Sequence, residues 1–351
     1  MARSRNTADT QTASGGPVSP NIAGKNAIIN GDFRIWQRGT SFSNPATGSF
    51  AADRWSVVWD GSGATRTVSQ QAFTPGGAPV AGYEGAFFYR FAQSVAGSGG
   101  TYNLFQNRME DVRTYAGQTV TISFWAKAAS SMSLVRLNLE QDFGAGGSPS
   151  GAVSTDLANT NFSITTSWQR FTYTTTVPSI SGKTIGTTHS GYMGLRFWLP
   201  VNSTFTLDVW GVQVELGSVA TPFETATGTI QGELAACQRY FEKSIAQSLT
   251  PGASANSGEM WFPNGTIIPG ETWQLVKFAV TKRVSPTITT YSYNGTTNRA
   301  SDNNGTDYVA NTADAWRTND SAFVIKSSGA SNMTVAAVRF VFCNWTASAE
   351  F

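Results

Sequence analysis

In the stretch QTVTISFWAKA, Val120, Ile122 and Phe124 alternate with Thr121, Ser123, Trp125 and Lys127. SLVRLNLEQD sets Val135, Leu137 and Leu139 against Arg136, Asn138, Glu140 and Asp142, and GLRFWLP sets Leu195, Phe197 and Leu199 against Arg196 and Trp198. A period of two places successive side chains on opposite faces of a strand, so each stretch predicts a half-buried antiparallel β-strand. SWQRFTYTTTV alternates as well, and clusters such as GAGGSPSG and TPGGAPVAG supply turns between strands. From Asn26 to about residue 227 this pattern predicts a two-sheet β-sandwich, with a jelly roll as the expected topology.

TIQGELAACQRYFEKS follows as the one helix candidate, with direct passage into a strand at CQRYFEKS as the alternative. Strand patterns resume in ETWQLVKFAVTKRVSPTITTYSY, SAFVIKSS and MTVAAVRFVFCNWTASAEF, so residues 228–351 predict a second, smaller β-sandwich and the chain as a whole is all-β. Residues 1–25 are polar and rich in Ser, Thr and Gly, too poor in apolar area to fold alone. They read as an extended attachment arm or as a frayed terminus.

Composition narrows the chemistry. Charged residues are 13% of the 351 and the formal net charge is +2, with no block of like charge, which argues against nucleic acid as a partner. No apolar run approaches the ~20 residues that span a bilayer, so no membrane insertion is expected, and no secretion signal opens the chain. One histidine, His189, and two cysteines, Cys237 and Cys343, are too few for a zinc site and offer no nucleophile–histidine motif. The two cysteines either face each other or are buried thiols. Neither a phosphate-binding loop nor a dinucleotide fingerprint is present. No catalytic residue is assigned. Glu140 and Asp142, two apart on one strand face, carry nothing else that would mark a glycosidase pair.

A series of short motifs remains: INGDFRIWQRG after Asn26, then ADRW, GQTVTISFWAKA, TSWQRFTYT and VQVELGSVATPFE. It resembles the jelly-roll modules of bacteriophage tail-fibre and related virion proteins, which are similar in turn to carbohydrate-binding modules. ELAACQRYFEKS with VTKRVSPTITTYS and NWTASAEF resembles the small C-terminal β domain that follows such modules. The resemblance implies a virion protein: a tail-fibre or spike adhesin for host surface glycans, or a capsid decoration (head-fibre) protein with a vestigial sugar-binding fold. It implies a homotrimer anchored to other virion proteins through the N-terminal arm, and a structural calcium ion at Asp32 and Asp208, with no other cofactor. In that scheme INGDFRIWQRG is the first strand of the sandwich. Phe33 and Trp36 fill its base, and Arg34 and Arg38 meet carboxylates such as Asp53 or Glu215.

With the alternating apolar residues in the core, Trp125, Lys127, Arg136, Asn138, Glu140, Arg196 and Trp198 are directed outward, expected on one face. Indoles flanked by guanidiniums, an amide and a carboxylate suit the C–H faces and hydroxyls of a sugar. The same face could instead pack against another subunit or the second domain, since exposed Trp is costly in water.

Overall fold

The structure, a computed structural model, describes residues 24–80, 83–157, 163–253, 260–263, 271–302, 307–311, 318–328 and 340–351. The first part of the chain contributes β1 (Ser41–Ser43), β2 (Trp55–Trp59), β3 (Thr65–Ala72), β4 (Phe87–Val95), β5 (Asn103–Glu110), β6 (Thr119–Ala128) and β7 (Met132–Ser133). It continues with β8 (Arg136–Asp142), β9 (Val153–Asp156), β10 (Ser163–Ile164), β11 (Gln169–Thr176), β12 (Tyr192–Trp198) and β13 (Phe205–Leu216). A six-stranded sheet runs β1-β3-β4-β13-β6-β11, a five-stranded sheet runs β2-β5-β12-β8-β9, and β7 pairs with β10. All pairings are antiparallel.

The expected alternation is what packs the two sheets together. Val120, Ile122 and Phe124 of one sheet and Leu137, Leu139, Leu195 and Phe197 of the other share one core with Phe33, Trp55 and Phe105. The chain is all-β with a jelly-roll sandwich. Val135 departs from the expected alternation: it lies just before β8 and is 52% exposed, while its neighbour Leu134 is buried in the core.

The opening motif is not a strand. Residues 26–40 form turns, with Asn30 and Phe33 in the left-handed region at φ 59° and 56°. What fixes them is side-chain bonding. Asn30 donates to the carbonyls of Ile35 and Asp53, accepts from the Ile35 N–H, and its own carbonyl takes the Trp55 indole N–H at 3.0 Å. Gly31 accepts from the Val212 N–H at the bulge of β13, and a Cβ on Gly31 would collide with the Val212 carbonyl. Phe33 and Trp36 are buried as expected, and Arg38 meets Asp53 at 3.1 Å. Arg34 lies beside Asp32 instead, and Glu215 takes Lys25.

The second β domain follows α1 (Ile230–Gln238), whose N-cap Thr229 accepts from the Gly232 N–H. Its strands are β14 (Phe241–Lys243), β15 (Met260–Pro263), β16 (Glu271–Lys277), β17 (Thr287–Tyr291), β18 (Arg299–Asp302), β19 (Asp307–Asn311), β20 (Ala322–Ser328) and β21 (Phe340–Ser348). Both sequence alternatives at CQRYFEKS are therefore realised, helix first and strand after. Strand β21 is the spine: its C-terminal half lies between β14 and β17, its N-terminal half between β15 and β18. Phe323, Ile325, Trp345 and Cys343 build its core, while Cys237 is a free, buried thiol on α1. Of the expected arm, residues 1–23 lie outside the described residues.

The two domains meet through the residues after β21. Arg54, at φ 72°, is 1% exposed, bonds Glu350 and lies under the Tyr240 ring with Cζ 3.4 Å from its centroid. Arg38 meets the other oxygen of Glu350 at 3.1 Å. Phe351 packs on Tyr192 and Tyr240, and Arg239 bridges back to Glu110 at 2.7 Å. Removing one member of a buried ion pair strands the other charge. Glu350→Ala is therefore expected to lower the unfolding free energy by about 3–5 kcal/mol. Urea unfolding of that variant measures this, and a loss under about 1 kcal/mol would show that Arg54 is not desolvated as described.

Candidate functional site on the five-stranded sheet

The strand registers sort the seven expected surface residues between two sheets. Arg136, Asn138 and Glu140 on β8 and Arg196 and Trp198 on β12 share the outer face of the five-stranded sheet, where Arg196 stands opposite Asn138 and Trp198 opposite Arg136. Trp125 and Lys127 stand on β6, in the other sheet. A single seven-residue face is thus corrected to one of five.

Trp125 is only 7% exposed because segments far away in sequence cover it. It packs with Phe88, Trp210 and Phe223, with Phe73, Tyr83 and Trp168 at the border of this second aromatic cluster. Its phase against Ile122 and Phe124 did point away from the main core, as alternation predicts. What alternation does not contain is Phe73, Val80, Tyr83 and Phe223 folding over that outer face. Lys127 lies 5.2 Å from the Trp168 ring centroid and 3.7 Å from Asp208.

Asp208 also accepts a two-pronged pair from Arg90 at 2.7 and 2.8 Å. Asp32 has other neighbours: Arg34 at 3.7 Å, and Glu233 close enough to repel it. The two carboxylates expected to share a calcium ion thus have no partner in common. Two cations already neutralise Asp208, and a divalent ion there would have to displace both. Among the described residues, no group of three or more His, Cys, Asp or Glu side chains is placed to hold a metal.

On the five-stranded sheet the remaining residues form an ordered network. Arg196 binds Glu140 through both terminal nitrogens and donates from Nε to Gln106 at 2.9 Å. Glu140 also accepts from the Tyr192 hydroxyl at 3.0 Å and the Ser154 hydroxyl at 3.5 Å, so four donors engage this carboxylate. Asp142 caps the Gly144 N–H at 2.7 Å. Trp198 is half-buried, its indole N–H donates to Asn138 at 3.1 Å, and Arg136 stacks on its ring with Cζ 3.6 Å from the centroid. Arg136 is itself held by Asp156 at 3.4 Å.

Beside Trp198 the face opens into a cleft of about 210 Å³ lined by Val58, Tyr102, Leu104, Gln106, Arg108, Arg196 and Trp198. Five of these seven, Val58 to Arg108, the sequence reading did not single out. The signal was present in NLFQNRME: Phe105 and Met109 face the core, which sends Leu104, Gln106 and Arg108 outward on the same strand. Leu104 and Val58 make an apolar floor, Trp198 and Tyr102 give ring walls, and Gln106, Arg108 and Arg196 give the polar side. The volume is below the roughly 300–1,000 Å³ of sites for drug-sized ligands.

No family model matches the chain, and no curated protein matches it. Solved structures do. A CBM4 structure is 19% identical with TM-score 0.32, covering 54% of this chain and 99% of that one. The CBM22-1 xylan-binding domain from Paenibacillus barcinonensis Xyn10C is 14% identical with TM-score 0.31, covering 51% and 94%. The N-terminal cellulose-binding domain from Cellulomonas fimi β-1,4-glucanase C is 15% identical with TM-score 0.29, covering 44% and 90%.

Two predictions follow from burial. Trp125→Ala is expected to cost about 3–5 kcal/mol and Trp198→Ala no more than about 1–2 kcal/mol, because only the first empties a packed cluster. Denaturant midpoints of the two variants decide this; equal losses would contradict the placement.

The second concerns Asp32, whose carboxyl burial, with the Glu233 charge beside it, pushes up to about 6 from its ordinary 3.8. The stability it contributes is present below about pH 4 and is lost as pH rises through about 6, by about 3 kcal/mol. In Asp32→Asn that fall should be missing from urea unfolding series across this window. An unchanged slope in the variant would sink the assignment.

Proposed function

We propose that the cleft beside Trp198 binds a glycan and that the protein acts by binding, without catalysis. The observation that carries this reading is the cleft itself. A half-exposed indole and a tyrosine ring flank an apolar floor, and the polar groups around them are held in place by one another. Rings of this kind cover the C–H face of a sugar, while a fixed amide and guanidinium meet its hydroxyls. The jelly-roll fold supports the reading, and so does the state of Glu140, whose oxygens are taken up by Arg196 and Tyr192.

The ordered motif series described above supports a place for this binding activity: a host-attachment subunit of a bacteriophage virion, of the tail-fibre or spike type, anchored through residues 1–25 and assembled as a homotrimer. Trp125 and Lys127 belong to the covered outer face of the other sheet and drop out of the proposed contact surface.

A glycan array probed with the purified protein tests the reading, with Trp198→Ala beside it. Binding to a defined set of saccharides is expected, falling roughly tenfold or more in the variant, the scale of one aromatic contact. An array silent for the wild type, or unchanged by the substitution, would overturn it. Adhesion of the same two proteins to host cells is expected to follow the array.

A further inference from the structure

The strand registers arrange the cleft in two ranks. Val58, Leu104 and Trp198 stand opposite one another on β2, β5 and β12 and form an apolar rank. Two residues along, Ser56, Gln106 and Arg196 form a polar rank, with Arg108 beyond them on β5. The polar side is poor in acceptors. No carboxylate lines the cleft, and the oxygens of Glu140 behind it are taken by Arg196, Tyr192 and Ser154. The buried Gln106 carbonyl accepts from Arg196 Nε at 2.9 Å, and its amide nitrogen donates to Ser56 at 3.3 Å. Among the lining side chains, the Tyr102 hydroxyl is the one acceptor not already engaged.

Donors, by contrast, are left over. Arg196 has five N–H groups; one goes to Gln106, two to Glu140 and one lies 3.4 Å from the Tyr192 hydroxyl oxygen, which leaves one. Arg108 gives Nη1 to the carboxylate oxygen of the last residue, Phe351, at 3.3 Å, and its Nη2 has no acceptor among the described residues. Both cations thus have an anionic partner, and what they still offer is N–H groups. A sugar hydroxyl set between the two ranks could accept from these, but its own proton would face donors or hydrocarbon. A desolvated donor without a partner is costly. The group that suits both ranks has an apolar end and, beside it, a neutral oxygen that carries no proton. An acetyl group is that combination.

We propose that the saccharide this cleft takes is acetylated, with the acetyl methyl on Val58 and Leu104 and its carbonyl accepting from the guanidiniums of Arg196 and Arg108. This rests on the glycan reading of the cleft.

The experiment measures affinity of the full chain for two matched pairs of probes. Chitotetraose and cellotetraose carry an acetamido group and a hydroxyl at the same ring position. Mono-O-acetylated xylotetraose and its saponified form differ by one acetate ester. The acetylated member of at least one pair is expected to bind roughly tenfold or more tightly than its partner, the range of one hydrogen bond to a charged group. Which pair shows the preference tells amide from ester. In Val58→Thr, nearly the same in shape but with a hydroxyl in place of a methyl, that preference is expected to shrink severalfold. Saturation-transfer NMR on the wild type reads the placement without a variant: the acetyl methyl protons are expected to take more saturation than the ring protons. Equal binding within both pairs, a preference unchanged in Val58→Thr, or stronger saturation of the ring protons overturns the proposal and leaves glycan binding standing. Absence of binding to all four probes also overturns it, and the glycan array then decides separately whether the glycan reading falls with it.

Discussion

The buried contact between Arg54 and Glu350 is the constraint on which the arrangement of this molecule turns. Each charge taken out of water costs several kcal/mol, and only close geometry with further bonds offsets it. Here the offset is built from several directions. Tyr240 stacks on the guanidinium, Arg38 shares the carboxylate, and Asp53 meets Arg38 from the opening motif. These contacts draw together ADRW, INGDFRIWQRG, the residue before β14 and the end of the chain, residues up to 312 positions apart. Arg54 adopts φ 72°, a region costly for a side chain with a Cβ, and such strain persists where surroundings over-determine it. The same contact seats Phe351 on Tyr192 and so covers one end of the five-stranded sheet. The other end, around Trp198, stays open. The interface thus decides where a site can be.

That dependence explains which parts were legible in the sequence. Alternation of apolar and polar residues reports the two faces of one strand, and there the reading of Ile122, Phe124, Leu137, Leu195 and Phe197 as core agrees with their burial. It does not report which sheet a strand joins. Trp125 and Trp198 have the same phase relation to their neighbours, yet β6 and β12 lie in opposite layers. Nor does it report what covers an outward face, and Trp125 is buried by residues up to about a hundred positions away in sequence, Phe88, Trp210 and Phe223. INGDFRIWQRG failed as a strand for a different reason: Asn30 supplies from its side chain the bonds a ladder would have made, so local bonding outweighed the strand-like composition.

The site was legible in half. Arg136, Asn138, Glu140, Arg196 and Trp198 come from strands whose alternation is regular, and the register brings them together. The cleft wall from β5 was missed although its phase was readable, because Leu104 and Gln106 are residue types that attract no functional attention singly. Their meaning comes only from standing beside Arg196 and Trp198 on the adjacent strand. Chemistry that is assembled across a sheet, one side chain per strand, has no contiguous motif to find.

The network also bears on how a ligand would be held. An Arg or a Trp free to rotate must be immobilised on binding, at roughly 0.5–1.5 kcal/mol for each rotamer-rich side chain. In this face that ordering is already done. Arg196 is fixed by Glu140 and Gln106, and Trp198 by Asn138 on one edge and Arg136 on its ring. The stacked Arg136 has a second consequence. It occupies one face of the indole, so the cleft offers the side of Trp198 that looks toward Leu104 and Tyr102, not the side toward β8. Which face of the ring is left open is set by the protein's own cation.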